Sequence, residues 1–501
     1  MTFFLGRRSF LFALYSLSGL FAFGMDNHSQ LWYNMDDSME SISDMQRRKA
    51  TMDKITVDFS KKCGKVKPMH SVNNGPVYKF ADDQRITNID AYTAAGIPFA
   101  RTHDASFYDI YGGEHIVDVN MIFTDFSKDP TDPASYDFTL TDEYLQVIER
   151  GGAKVFYRLG SKIEHWQKKY NTLPPPDFKK WAIVCEYIIR HYTEGWADGF
   201  YMDIQYWEIW NEPDLDEDDS NHKRCWGGTA TEFFELFQIT YKHLKSCFPH
   251  LKIGGPACAG LKNKWMQPFF QSLKENDIKP DFFSWHMYTN TVEEMRRQIR
   301  LARQRLDKAG LHETESILNE WNYVKGWLEN DWIYSLKTMK NLKGSSFIAS
   351  TICMALYEPL DHLMFYDARP CAMNSLFNTD FVFECLKGYY PFYMFNQLYT
   401  QDHAVSVELD GEDVWAAAAA GSEQNLMLSY YNDDTSVIEK TISIEFKNVA
   451  NADKIRLQYY CLDENHDCEL IREEIFSGND FSAYLKMSLY STYLLKISPI
   501  N

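Results

Sequence analysis

The sequence predicts an α/β fold, a (β/α)8 TIM barrel followed by a C-terminal β-sandwich domain, on three observations. From about residue 50 to about 400, eight short apolar, β-prone runs alternate with longer amphipathic stretches. After about residue 400 the helical period fades and strand-like runs separated by polar turns take over. The 501 residues suffice for one barrel and a smaller domain. A doubly wound sheet would need a Gly-rich phosphate turn after an early strand, and none is present.

Residues 1–24 read as an export signal. Arg7 and Arg8 supply a positive start, residues 10–23 are apolar but short for a bilayer, and Ala22-Phe23-Gly24 offers small residues for cleavage. Arg7-Arg8-Ser9-Phe10-Leu11 also resembles a twin-arginine signal. The expectation is an exported protein, periplasmic or extracellular, with no membrane association after cleavage. Residues 25–50 read as a flexible leader, 51–400 as the barrel and 401–501 as the sandwich, with residues 54–59 a possible extra strand of the latter.

The predicted barrel strands are residues 67–72, 98–103, 154–159, 206–212, 252–258, 282–288, 316–321 and 363–367. Between them, helices are predicted over 142–150, 178–193, 229–247, 292–309 and 347–357. The first carries Tyr144, Leu145, Val147 and Ile148 on one face and stops before Gly151-Gly152. The second opens after Pro174-Pro175-Pro176 and the cap-like Asp177. In the second domain, strands are expected over 414–419, 426–431, 441–446, 455–460 and 490–497.

A net charge of −19 argues against nucleic acid or an anionic membrane as partner, because phosphates need clustered Lys and Arg. Ten cysteines scattered over this length do not make a disulfide framework. Cys461 and Cys468 flank Leu-Asp-Glu-Asn-His-Asp and are close enough in sequence for a disulfide. With His466 they also suggest zinc, but a fourth ligand is lacking. The acidic run Asp214-Leu215-Asp216-Glu217-Asp218-Asp219 lacks the spacing and glycine of a calcium loop and reads as solvated. No metal or cofactor is expected.

Two segments carry the chemistry. Trp207-Glu208-Ile209-Trp210-Asn211-Glu212-Pro213 and Ile317-Leu318-Asn319-Glu320-Trp321-Asn322 are β-prone runs that each deliver a glutamate to a predicted strand end. A carboxylate there is costly unless it is paired or used. Ending the fourth and seventh strands of a barrel, Glu212 and Glu320 would meet at its C-terminal face. Paired carboxylates are what glycoside hydrolysis needs, one to protonate the leaving group and one to stabilise or trap the cation.

Asn-Glu-Pro closing strand four, with a second glutamate closing strand seven, resembles the clan of retaining (β/α)8 glycoside hydrolases. Further segments are similar to glycoside hydrolase family 39, which holds β-xylosidases and α-L-iduronidases. These are His70-Ser71-Val72-Asn73-Asn74-Gly75-Pro76, Arg101-Thr102-His103-Asp104, the run from Asp129-Pro130 to Asp137-Phe138, Phe156-Tyr157-Arg158-Leu159-Gly160 and Phe282-Phe283-Ser284-Trp285-His286-Met287-Tyr288.

The resemblance covers about residues 65–400. It implies Glu212 as general acid/base and Glu320 as nucleophile. Asn211 is expected to bind the sugar 2-hydroxyl, while His286 and Tyr288 orient Glu320 and line the sugar subsite. His70, His103, Asp104, Arg158 and Trp321 complete the expected substrate-binding set. Trp166 and Trp226 are candidates for stacking on sugar rings, and an arginine, Arg101 or Arg158, for holding Glu320 ionised. The function expected is a retaining exo-glycosidase releasing a pentose-type sugar, β-xylose first. The alternatives are an α-L-arabinofuranosidase, an α-L-iduronidase using Arg369, or a catalytically silent carbohydrate-binding protein.

Overall fold

The computed structural model describes residues 52–81, 84–104, 115–449 and 452–500. The expected export signal and leader lie outside the described residues. The described residues open with β1 (Asp53–Lys62), β2 (Ser71–Asn73), the hairpin β3 (Tyr78–Ala81) and β4 (Gln84–Thr87), and α1 (Ile89–Ala95). Then come β5 (Phe99–Arg101), α2 (Val119–Ile122), α3 (Thr139–Arg150), β6 (Lys154–Leu159), α4 (Phe178–Glu194) and β7 (Tyr206–Ile209). They are followed by α5 (Ala230–Cys247), β8 (Lys252–Cys258), α6 (Asn263–Glu275), β9 (Phe282–Thr289), α7 (Val292–Lys308) and β10 (Glu315–Tyr323). The barrel ends with α8 (Glu329–Met339), α9 (Leu342–Ala355), β11 (His362–Phe365) and α10 (Tyr390–Tyr399).

Strands β2, β5, β6, β7, β8, β9, β10 and β11 pair in that order, and β11 returns to β2 with Met364 opposite Ser71, closing the barrel. Helix starts follow local chemistry. The Asp177 carboxylate accepts the Lys179 and Lys180 N–H groups to open α4. Thr229 and Glu232 form a reciprocal capping box at α5. Helix α6 escapes the sequence reading because Pro268 interrupts it. Helix α9 starts at Leu342 rather than 347, because Asn341 caps it.

Inside the barrel, Phe156, Tyr206, Phe282, Ile317 and Met364 form an apolar plug. Two residues further along these strands the pleat brings Arg158, Glu208, Ser284 and Asn319 inward, so the next layer is polar. β10 then bulges. Leu318 faces Trp285 and Glu320 faces His286, so Asn319 and Glu320 together oppose one residue of β9. Such a bulge re-aims side chains, here turning both Asn319 and Glu320 toward the axis.

The remaining strands are β12 (His403–Asp410), β13 (Val414–Ala420), β14 (Gln424–Tyr430), β15 (Glu439–Lys447), β16 (Lys454–Leu462), β17 (Asp467–Ser477), β18 (Phe481–Ser488) and β19 (Thr492–Ile500). With β1 they form one ladder, β17-β16-β19-β14-β13-β12-β1-β15-β18. Ile55, Ile444 and Leu485 from one end share a core with Leu457 and Leu495 from the other, so the ladder curls into two facing layers. Strand β1, from the N-terminal side of the barrel, lies antiparallel to β12 and parallel to β15.

Barrel and sheet belong to one unit, Met52–Asn501. Helix α9 is buried along its whole length, its small Gly344, Ser345, Ser346, Ala349 and Ser350 allowing close approach. The Ser346 hydroxyl donates to the Tyr430 carbonyl at 2.8 Å. Beyond β14, Asp433 accepts from Tyr323 on β10 at 2.7 Å, from Asn290 just past β9 at 2.8 Å, and pairs with Lys343 at 2.9 Å. The second domain thus clamps the ends of β9 and β10. Among the described residues no helix is long and apolar enough to cross a membrane.

Candidate active site

Strand β7 ends in an unusual turn. Trp210 and Glu212 sit at φ 76° and 48°, left-handed values that cost a non-glycine residue about 1–3 kcal/mol each. The turn is held by neighbours on both sides. The Trp210 N–H donates to the Leu159 carbonyl at 2.6 Å, and the Glu212 N–H to the Ala257 carbonyl at 2.9 Å. Gly160 makes this possible, because a Cβ there would sit 3.0 Å from the Trp210 Cα. The Trp210 indole N–H is taken by the Cys225 carbonyl at 2.8 Å.

Glu212 Oε1 lies 2.9 Å from His286 Nδ1, and Oε2 accepts the Cys225 thiol at 3.6 Å. Burial raises the Glu212 pKa, with His103, Cys225 and Arg101 pulling weakly the other way. Burial also pushes His286 down to about 3, so its imidazole is neutral at working pH.

Glu320 is surrounded differently. Its Oε1 accepts from Arg101 Nη1 at 2.8 Å and lies 3.3 Å from His103 Nε2. Its Oε2 accepts the Tyr288 hydroxyl at 2.9 Å and lies 3.4 Å from His286 Nδ1. One oxygen of each carboxylate and a nitrogen of His286 fall within 4.8 Å of one another.

Arg101 is the hub beneath them. Fully buried, it donates from Nε to Glu208 at 2.7 Å, from Nη1 to Asn73 at 2.9 Å as well as to Glu320, and from Nη2 to Asn211 at 2.7 Å. Burial alone would lower its pKa, but Glu208 and Glu320 outweigh that and raise it. Glu208 is itself held by Ser284 at 2.5 Å and Asn319 at 2.6 Å. Sequence reasoning missed Glu208, although a charge in mid-strand four residues before Glu212 was a signal. With its oxygen committed to Arg101, Asn211 keeps a buried Nδ2 with no protein acceptor.

His103 reaches Glu320, and its Nδ1 lies 3.2 Å from Asp104 Oδ2. Burial would raise the Asp104 pKa, but Arg369 at 3.2 Å, His103 and Lys162 at 3.2 Å hold it well below the usual carboxylate range. These residues therefore gather with Asn211, His286 and Tyr288 around the two glutamates.

Other expected residues do not join them. His70 precedes β2, at the opposite end of the barrel, where its Nε2 meets the Gly96 carbonyl at 3.1 Å and its ring packs on Phe395 and Tyr399. Arg158 spends Nη2 on Asp118 at 2.6 Å and on the His103 carbonyl at 2.8 Å, while Arg101 holds Glu320. Trp321 follows the bulge and points outward onto Phe347 and Phe365, so it cannot wall a sugar site. Trp226 is buried against Trp210, while Trp166 is 81% exposed on the loop after β6.

Asp214, expected in a solvated loop, is buried; its Oδ1 accepts the Ala259 N–H at 2.7 Å, and burial pushes its pKa up to about 7. Asp216 pairs with Arg224 at 2.6 Å, fastening the Cys225 loop. Cys461 and Cys468 are free thiols.

The sequence is similar to known glycosidases. It is 31% identical over 168 residues to a beta-xylosidase of Geobacillus stearothermophilus, 31% of each chain. It is 25% identical over 259 residues to a beta-xylosidase of Caldicellulosiruptor saccharolyticus, covering 49% of this chain and 47% of that one. The matches thus span about a third and a half of these curated relatives. A glucosidase structure from Croceicoccus marinus shares the fold, with a TM-score of 0.72 and 20% identity over 90% of this chain and all of that one. The family model of Glycosyl hydrolases family 39 matches residues 54–320, from β1 to Glu320, more than half of the chain. This chain belongs to glycosyl hydrolase family 39.

Proposed function

We propose that this protein is a retaining exo-glycosidase that releases β-linked xylose from oligosaccharides, with Glu212 as acid/base and Glu320 as nucleophile. The observation that carries the mechanism is the nearness of the two carboxylates, an oxygen of each within 4.8 Å. Retaining enzymes hold their carboxyl groups about 5–5.5 Å apart, and inverting ones about 6.5–9.5 Å to admit a water. The relatives' beta-xylosidase activity supports xylose as the sugar.

In the first step the Glu320 carboxylate attacks the anomeric carbon. The bond to the leaving oxygen breaks, and that oxygen takes the Glu212 proton. Burial suits Glu212 to hold this proton at neutral pH. Arg101 and Tyr288 both donate to Glu320 and so fix the orientation of its carboxyl group for attack. Once Glu320 is esterified its charge is gone, and Glu212, now ionised, removes a proton from the attacking water. That water's oxygen bonds to the anomeric carbon, Glu320 leaves as carboxylate and Glu212 is protonated again. The free Asn211 Nδ2 suits the sugar 2-hydroxyl, whose contact strengthens as positive charge develops.

Arg369 does not favour an iduronide, because its guanidinium is engaged with Asp104 at 3.2 Å and Asp367 at 3.4 Å. A panel of aryl glycosides, with NMR following the first-formed anomer, tests the reading. β-Xyloside turnover with β-xylose as first product is expected. Inverted product would refute retention, and turnover of a different sugar alone would refute the xylosidase assignment.

A further inference from the structure

Behind the strand that carries Glu320, the chain turns at Lys325-Gly326 before α8 begins. On that turn stands Trp327, 54% exposed, although Trp is among the least economical side chains to leave in water. The ring is nevertheless fixed. Trp332, in the first turns of α8, stacks on it with centroids 5.2 Å apart and planes 25° from parallel. Tyr288 meets it edge to face, centroids 5.1 Å apart at 78°. Tyr288 is also the residue whose hydroxyl donates to Glu320 Oε2 at 2.9 Å. Trp327 is thus one ring removed from the nucleophile, on the C-terminal side of the barrel. Stacking on Trp332 covers one of its faces, and the ring as a whole stays 54% exposed.

We propose that the exposed part of Trp327 is a stacking platform for the leaving-group side of the substrate, and that it takes a pyranose ring, the second sugar of an oligosaccharide. The proposal rests on the hydrolase reading above. A pyranose carries its axial C–H bonds on one face and its hydroxyls around the rim, so it can lie on an indole while the hydroxyls stay solvated. Because Trp332 and Tyr288 already hold the ring, binding costs little side-chain ordering. A methyl or fluoride leaving group would be too small to use the platform. Trp327 would therefore set the preference for oligosaccharides over simple glycosides without touching the reacting atoms.

The test compares wild type, Trp327→Ala and Trp327→Phe on xylobiose and on β-xylosyl fluoride. The alanine variant is expected to lose about tenfold in kcat/KM on xylobiose and to stay within about twofold on the fluoride, with phenylalanine recovering most of the loss. Equal losses on both substrates, or none on xylobiose, would overturn the proposal. If the wild type instead turns over glucosides, the xylose assignment fails, and the same ratio is read on cellobiose and β-glucosyl fluoride. A readout free of turnover is the fluorescence titration of a Glu320→Ala protein with xylotriose and cellotriose. Adding Trp327→Ala should weaken whichever binds by about tenfold, and unchanged affinity overturns the platform. Light scattering guards against another role: a change of oligomeric mass with sugar discrimination intact would assign Trp327 to a protein contact and overturn the proposal.

Discussion

The ends of β7 and β10 present the same side chain to the same cavity and treat it in opposite ways. Glu212 leaves β7 through a left-handed turn and meets weak partners, a neutral imidazole and a thiol. Glu320 leaves β10 through a bulge and meets an arginine and a tyrosine hydroxyl. Burial then dominates at Glu212 and favours its neutral form, whereas Glu320 accepts a charge-assisted hydrogen bond from Arg101. Two identical carboxyls are thus suited to the two roles proposed for them by what the backbone aims at them. Arg101 is the dividing element, because it hydrogen-bonds Glu320 directly, whereas it touches Asn211 rather than Glu212 and acts on Glu212 only through its charge.

This contrast can be broken from either side. Replacing Glu320 with alanine should cost the most, about 10⁴-fold or more in kcat, because the proposed covalent intermediate forms on its carboxylate. Azide should then yield the inverted glycosyl azide, seen by NMR. Replacing Glu212 with alanine should cost about 10²–10⁴-fold on substrates with poor leaving groups and far less on activated aryl glycosides. A loss independent of leaving group would count against Glu212 as the proton donor. Azide should rescue this variant with retained configuration.

Tyr288→Phe removes one hydrogen bond to the ionised Glu320 and should cost about 10–100-fold in kcat/KM, from the roughly 1.5–3 kcal/mol such bonds contribute. Crystallography or circular dichroism should find the fold unchanged. The subtlest test is the pH profile. Glu212 must be protonated for the first step, so kcat/KM should fall as pH rises through its raised pKa. The Cys225 thiol donates to the ionised form and so holds that pKa down. Cys225→Ala should move the alkaline limb upward by roughly half a pH unit, with Cys225→Ser restoring it. A downward shift would mean that the thiol stabilises the protonated acid instead.

Much of this was legible in the sequence because strands and motifs are local. Residues 154–159 and 252–258 appear as strands at the expected boundaries, and Thr229 and Asp177 mark helix starts as their chemistry requires. What was not legible depends on direction. The sequence puts Trp321 directly after Glu320 and so in the substrate-binding set, but the bulge at Asn319-Glu320 sends it outward, and no residue type announces a bulge. The motif around His70 points to the substrate site, but His70 precedes a three-residue strand and so belongs to the opposite end of the barrel. Glu208 and the division of labour between Arg101 and Arg158 emerge only when eight strands meet. Strand β17 escaped because its residues are mostly exposed and show no alternation.

Strand β1 has a consequence for how the protein is made. Its neighbours in the sheet are β12 and β15, so Ile55 pairs opposite Leu409 and Ile444. A ribosome delivers β1 first and its partners only after the whole barrel. Until then, Ile55, Val57 and Phe59 form an apolar stripe with both edges open, a setting that invites pairing with other chains. Synthesis therefore imposes an order in which the barrel is made while β1 waits, and the sheet is sealed last. Circular permutation that moves residues 52–62 behind residue 500 would end that wait, and should raise the soluble yield during expression.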